Sequence, residues 1–203
     1  MGRTAPPARF YGLLTRRVQL ARLGAVRPYL EEGTGPVLDV GCGLTGLPGT
    51  IPSYTGCDRD PEVLRLNRAR FPSVRFVDWD VSSAEPPDLL HRAGPFGIIL
   101  MLALLEHLSE PSVALRRAAS LLRPDGRLVV TTPHPAGRLP LELGAAAGLL
   151  SRHAAGEHEA LLSRSRLEQA AVAAGLGMLV YRRFLLGGNQ LAVLVPGRNP
   201  ASG

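Results

Sequence analysis

The residue types and spacings that suggest chemistry lie first in VLDVGCGLTG, from Val37 to Gly46. An apolar run, Val37-Leu-Asp-Val40, ends in glycines, and glycine lets a backbone approach a ligand because it has no Cβ and accepts positive φ. Asp39 stands two residues before Gly41, so a carboxylate sits at the carboxyl edge of a short buried strand, where open α/β sheets bind ligands. Gly41, Gly43 and Gly46 also spell G-x-G-x-x-G, the dinucleotide fingerprint, so the glycines alone leave the ligand open. Two neighbours argue against a nicotinamide dinucleotide. An acid just before the first glycine suits a cationic amino group better than a pyrophosphate. Leu47-Pro-Gly-Thr-Ile-Pro52, which follows, has room for only about a turn of helix, whereas a dinucleotide site wants a substantial helix N-terminus for its phosphates.

The elements that must position these residues alternate. Residues 11–32 are expected to form an N-terminal helix, with Leu14, Val18, Ala21, Ala25 and Tyr29 at helical spacing and a stop at Gly33-Thr-Gly-Pro36. Strands are expected at Val37–Val40, Tyr54–Asp58, Val74–Val77, Phe96–Leu102 and Arg127–Thr132. Helices are expected at Pro61–Arg70, opened by Asp60 and a proline, at Pro111–Leu122 and at Ser163–Ala174. Met178–Leu186, a Gly187-Gly-Asn189 turn and Gln190–Val195 close the chain as a hairpin. The expected fold class is therefore α/β: a single domain over residues 1–203, its mostly parallel sheet ending in an antiparallel C-terminal hairpin, with helices on both faces. Residues 133–162 break the alternation and are expected to form a lid-like insertion.

In order along the chain, VLDVGCG, GCD, VDWD, EHL and LLRPDGRLVVTTP resemble the successive motifs of class I S-adenosylmethionine-dependent methyltransferases, most closely the large type 11 set of mostly small-molecule enzymes. The resemblance spans roughly Tyr11 to Val195 and implies a Rossmann-like seven-strand sheet with S-adenosylmethionine as cofactor. It also implies roles by position. Asp39 and the Gly41-Cys42-Gly43 backbone hold the methionine portion, helped by backbone near Met101 and Leu102; the Cys42 side chain itself reads as small packing. Asp58 accepts from the ribose hydroxyls, with Arg59 beside the ribose or adenine. Asp80 accepts from the adenine amine, although Asp78 is a rival two residues earlier. The Val81 N–H faces the ring nitrogen, and Trp79 walls the adenine pocket.

Methyl transfer asks the protein mainly to align a nucleophile and, for some acceptors, to remove a proton. MLALLEHLSEP, after the fourth strand, borders that centre in the family, which makes His107 the first candidate base, with Glu106 beside it and His134 after the fifth strand. Glu106 and His107 also fit a plainer role, pinning backbone at the start of a loop. The lid offers Arg138, His153, Glu157 and His158 among leucines, which suits a small organic acceptor. Some quinone-pathway members carry a further acid three residues before the Glu106 position and use the set for a metal. Here that residue is Ala103, so no metal is expected.

Composition bounds the rest. All 23 basic residues are arginine, the formal net charge is +6, and the arginines are scattered rather than gathered in a tail. That fits the codon usage of a GC-rich genome. The alternative is a basic surface for an anionic acceptor, RNA included, on an RNA-directed methyltransferase or a non-catalytic S-adenosylmethionine binder. No Asn-Pro-Pro-Tyr-type signature of base-amino methylation appears. Two cysteines, Cys42 and Cys57, form no disulfide framework or metal spacing, and no apolar run is long enough to span a bilayer. A cytoplasmic protein without a membrane partner is expected, acting on a small-molecule methyl acceptor.

Overall fold

The computed structural model describes residues 13–135 and 161–197. Most of the expected lid, with Arg138, His153, Glu157 and His158, lies outside the described residues.

Seven strands form one sheet in the order β3-β2-β1-β4-β5-β7-β6. They are β1 Val37–Val40, β2 Tyr54–Asp58, β3 Arg75–Asp78, β4 Phe96–Leu102, β5 Leu122–Pro133, β6 Leu176–Phe184 and β7 Asn189–Pro196. Strands β1 to β5 pair in parallel, and β7 runs antiparallel to both β5 and β6. The order reverses between β1 and β4, the switch point at which such sheets open a crevice above their carboxyl ends.

Alternation along the strands builds two cores, one on each face. Leu38, Val40, Ile99, Met101 and Val130 pack with Leu90, Leu115 and Leu167 of the helices α3 (Asp88–Ala93), α4 (Pro111–Ala119) and α5 (Arg164–Ala173). Val37, Ile98, Leu100 and Val129 pack on the other face with Val26 of α1 (Leu13–Glu32) and Leu64 of α2 (Pro61–Arg70). Asp39 alternates with Leu38 and Val40 and so belongs to the α1 and α2 face.

Local chemistry starts the helices where the sequence suggests. Asp60 caps α2 by accepting from the Glu62 and Val63 N–H groups, and Ser163 caps α5 by accepting from Arg166. Several boundaries differ from expectation. The last helix before β5 stops at Ala119, and β5 begins at Leu122, although its pairing with β4 becomes continuous only from Arg127. Helix α3 was missed because Asp88–Ala93 is six residues long and buries only Leu90, too little for a period to show. The hairpin turn occupies Leu185–Gly188 instead of Gly187–Asn189: Leu185, Leu186 and Gly187 all have positive φ, and the Gly188 N–H donates to the Leu185 carbonyl. Two leucines in a left-handed turn are a poor match to their side chains, so composition pointed to the glycines instead.

Candidate active site

The site begins with the loop after β1. Gly41 has φ +67°, and a Cβ there would come within 2.8 Å of the Leu104 side chain, so the loop lies directly against the segment that follows β4. Gly43 has φ +52°, and nothing stands within 4 Å of where its Cβ would be. Neighbouring elements pin its backbone on both sides. Its N–H donates to Asp58 Oδ2 at 2.9 Å, and its carbonyl accepts from Asn67 Nδ2 of α2 at 2.7 Å. The expected short helix is a single 3-10 turn, Leu47–Gly49, whose first N–H donates to Thr45 Oγ1.

Asp58 ends β2. Its Oδ1 accepts from the Asp60 N–H at 3.0 Å and its Oδ2 from Gly43, which uses about two of a carboxylate's four lone-pair directions and leaves two. Asp39 is 3% exposed, and Tyr54 Oη donates to its Oδ2 at 2.7 Å. Burial raises the Asp39 carboxyl to about 7, against the lowering effect of the Tyr54 hydrogen bond and with a further push from the Asp58 charge. Tyr54 was given no role from sequence, because nothing in a strand-opening tyrosine says that it spans two residues of the next strand to reach an acid.

Asp80 lies beyond β3 in a turn, where it accepts from the Ser82 N–H at 2.9 Å and from Ser82 Oγ. The Ser82 hydroxyl, above all, holds Asp80 below the usual carboxylate value, with a smaller contribution from the Arg59 charge nearby. Its rival Asp78 is exposed and stands opposite Asp58 across the β2–β3 pair. Trp79 is 4% exposed in the core, with its indole N–H donating to the Ala84 carbonyl, which fixes the turn that carries Asp80 and Val81. The Val81 carbonyl accepts from Arg117. Burial holds both the Cys42 and Cys57 thiols in the protonated form, and neither joins a disulfide.

On the other side of the switch point, Met101 is buried and Leu102 half-buried at the end of β4. Ala103 follows with φ +55°, unusual for a residue with a Cβ, and its N–H donates to the Thr131 carbonyl at 2.7 Å. Leu105–His107 is a 3-10 turn in which the neighbours part company: Glu106 is 1% exposed, while His107 is half-buried. His134, past the end of β5, donates its backbone N–H to the Gly188 carbonyl. Partial burial, helped by the Arg183 charge, lowers its imidazole pKa. Among the described residues no three histidine, cysteine, aspartate or glutamate side chains gather as a metal site, and no helix is long and apolar enough to cross a membrane.

Residues missed from sequence are Arg22, Tyr54, Asn67, Leu104, Asn189 and Gln190. The last is fully buried: its Nε2 donates to the Pro133 and Leu162 carbonyls, and its Oε1 accepts from Tyr181 Oη. Gln190 thus ties together the chain on the two sides of residues 136–160.

Comparison with known proteins gives the family and the fold. Residues 14–179 match the model of a methyltransferase domain. The chain is 36% identical over 117 residues to a ubiquinone biosynthesis O-methyltransferase of Xanthomonas axonopodis, a stretch covering 55% of this chain and 48% of that protein. It is 38% identical over 106 residues to an uncharacterized methyltransferase of Mycobacterium tuberculosis, covering 49% of this chain and 51% of that one. The chain thus spans about half the length of these curated relatives. Among solved structures, an S-adenosylmethionine-dependent methyltransferase from Mesorhizobium loti superposes with a TM-score of 0.66 at 16% identity, over 86% of this chain and 97% of that one. Magnesium protoporphyrin IX methyltransferase from Synechocystis, with bound S-adenosylhomocysteine, gives 0.64 at 14% identity, over 97% and 90%. The chain belongs to the methyltransferase-domain family, within the class I S-adenosylmethionine-dependent methyltransferases.

Proposed function

We propose that this protein moves the methyl group of S-adenosylmethionine to an oxygen or nitrogen of a small organic acceptor by in-line displacement. The observation that carries the reading is Gly43, which has positive φ, is pinned to Asp58 and Asn67, and is open where a Cβ would stand. That is a backbone shelf beside a carboxylate with two lone-pair directions to spare, and it fits a ribose with two adjacent hydroxyls. Asp39, Gly41 and Gly43 are assigned to the methionine portion, Asp58 and Arg59 to the ribose, and Asp80 and the Val81 N–H to the adenine. The bound cofactor supplies an already activated methyl group.

The chain's own work is to align the acceptor and to take its proton where one must leave. Both histidines suit that task by position, since β4 and β5 are neighbours and His107 and His134 follow their carboxyl ends. The depressed pKa of His134 keeps its imidazole neutral, and so able to accept a proton, at neutral pH. A small acceptor is supported by the O-methyltransferase relatives and by the dispersal of the basic charge. Among the described residues six arginines are ion-paired with carboxylates, which spends part of the basic charge locally.

Calorimetry with S-adenosylhomocysteine and with NAD tests the cofactor assignment: binding of the first and not the second is expected, and the reverse would overturn it. With an acceptor in hand, His107→Ala is expected to lower turnover by about 10²-fold while leaving S-adenosylhomocysteine affinity nearly unchanged. Loss of cofactor affinity with early melting would instead make His107 a backbone pin.

A further inference from the structure

The carboxyl edge also holds a polar cluster that the glycine motifs give no reason to expect. Arg22 comes to it from α1, Glu106 from the turn after β4, and Asn189 from the first residue of β7. Arg22 Nε donates to Asn189 Oδ1 at 3.1 Å. Among the described residues the terminal nitrogens of Arg22 make no hydrogen bond, and no carboxylate lies within 4.0 Å of them. Glu106 is 1% exposed, and its Oε2 has no hydrogen-bond partner. Burial presses the Arg22 guanidinium toward its neutral form, and Glu106 is near enough for its charge to oppose that.

A carboxylate oxygen withdrawn from water and the end of a half-buried guanidinium therefore stand on the same edge of the sheet with capacity unused. Leaving a buried carboxylate oxygen unpaired is costly, and native proteins retain such a group mainly where something else completes the bonding. The arrangement lies on the side of the switch point assigned above to the acceptor. We infer that Arg22, Glu106 and Asn189 recognise the acceptor, and that it is a small hydroxy acid. Its hydroxyl donates to Glu106 Oε2, and its carboxylate takes the two terminal nitrogens of Arg22. Asn189 occupies Nε and leaves the two terminal nitrogens, the end-on fork that a carboxylate can meet with two parallel hydrogen bonds. This rests on the methyltransferase reading of the same site and adds the charge and functional groups of its substrate.

The test is calorimetry on the full chain saturated with S-adenosylhomocysteine, titrated with ortho-, meta- and para-hydroxybenzoate and with benzoate and phenol as parents. The three isomers vary the distance between hydroxyl and carboxylate. At least one is expected to bind about ten-fold or more tighter than either parent, a difference of about 1.4 kcal/mol. Arg22→Met is expected to remove its advantage over phenol, and Glu106→Gln its advantage over benzoate, with S-adenosylhomocysteine affinity kept in both. Arg22→Lys, with no planar fork, is expected to restore little. Should Arg22→Met melt early, Asn189→Ala keeps the guanidinium but frees it, and a weaker loss against the same panel is expected. No preference for any hydroxybenzoate, or a preference intact in a folded Arg22→Met, overturns the inference while S-adenosylhomocysteine binding keeps the cofactor assignment standing. Failure of S-adenosylhomocysteine itself to bind takes down both.

Discussion

The two sides of the switch point are built in different ways. Above β1, β2 and β3 the site consists largely of backbone and short-range bonds: Gly43 reaches Asp58 across 15 residues, Asp80 reaches Ser82 across two, and Asp60 caps the helix beside them. Above β4, β5 and β7 it consists of side chains brought together by the whole fold, with Arg22 bonded to Asn189 across 167 residues. The first side is set by glycines and carboxylates whose order along the chain is itself the pattern. The second has no pattern until the sheet closes. On the function proposed above, the first construction meets a cofactor common to many enzymes, and the second an acceptor particular to one.

The largest expected effect sharpens this contrast on the cofactor side. Asp39 keeps its proton in the folded protein up to about pH 7, whereas its ordinary value is 3.8. Between those values the unfolded chain binds fewer protons than the folded one, so this residue lowers stability as pH rises from about 4 to 7. Below that window both states are protonated and the effect vanishes; above it the full penalty stands. Asp39→Asn is expected to remove a pH-dependent loss of the order of a few kcal/mol, read as the difference between wild-type and variant urea midpoints across the window. Tyr54→Phe deletes the hydrogen bond that holds Asp39 down, so the loss should still begin near pH 4 but run on above pH 7 and become larger. A wild-type minus variant curve that stays flat with pH would show Asp39 ionised throughout.

Next is Asp58→Ala, expected to weaken S-adenosylhomocysteine by about 1–3 kcal/mol, roughly 5- to 150-fold, because it removes a charge-assisted acceptor and unpins Gly43. Unchanged affinity would move the ribose contact elsewhere and make Asp58 a loop brace. On the opposite side, Gln190→Leu leaves the Pro133 and Leu162 carbonyls and the Tyr181 hydroxyl without their shared partner. A loss of about 1–2 kcal/mol in denaturant stability is expected, with cofactor affinity of the folded protein unchanged. If both variants lose cofactor affinity equally, the two sides are one cooperative site and the contrast fails.

How much could be read from the sequence follows the same division. The strand-to-glycine step at Val37–Gly43, the Asp60 cap and the five parallel strands were legible because each depends on neighbours a few residues apart. The Tyr54–Asp39 bond was not, since it depends on the register that sets Val37 beside Tyr54. Arg22 carried no signal, because among 23 arginines nothing local distinguishes the one that bonds Asn189. Glu106 and His107 were noticed as a pair, yet only the fold separates a buried carboxylate from a half-buried imidazole one residue on.

The smallest expected effect concerns the β6–β7 turn, which sits next to the acceptor side without belonging to it. Leu186 has φ +53°, a left-handed conformation that costs a non-glycine residue about 1 kcal/mol, and its side chain is fully exposed, so no packing offsets the strain. Glycine at this position relieves the strain but widens the unfolded ensemble, and those contributions oppose each other. Asparagine tolerates the conformation and keeps a Cβ, so Leu186→Asn is expected to raise stability by about 0.5–1 kcal/mol, measured as a shift in the denaturant midpoint at constant slope. Affinity for S-adenosylhomocysteine and for any hydroxybenzoate that binds should stay the same. The Gly188 carbonyl accepts from the His134 N–H, so a turn that tightened the hairpin and also altered ligand binding would show that its strain is transmitted to the acceptor side through this bond.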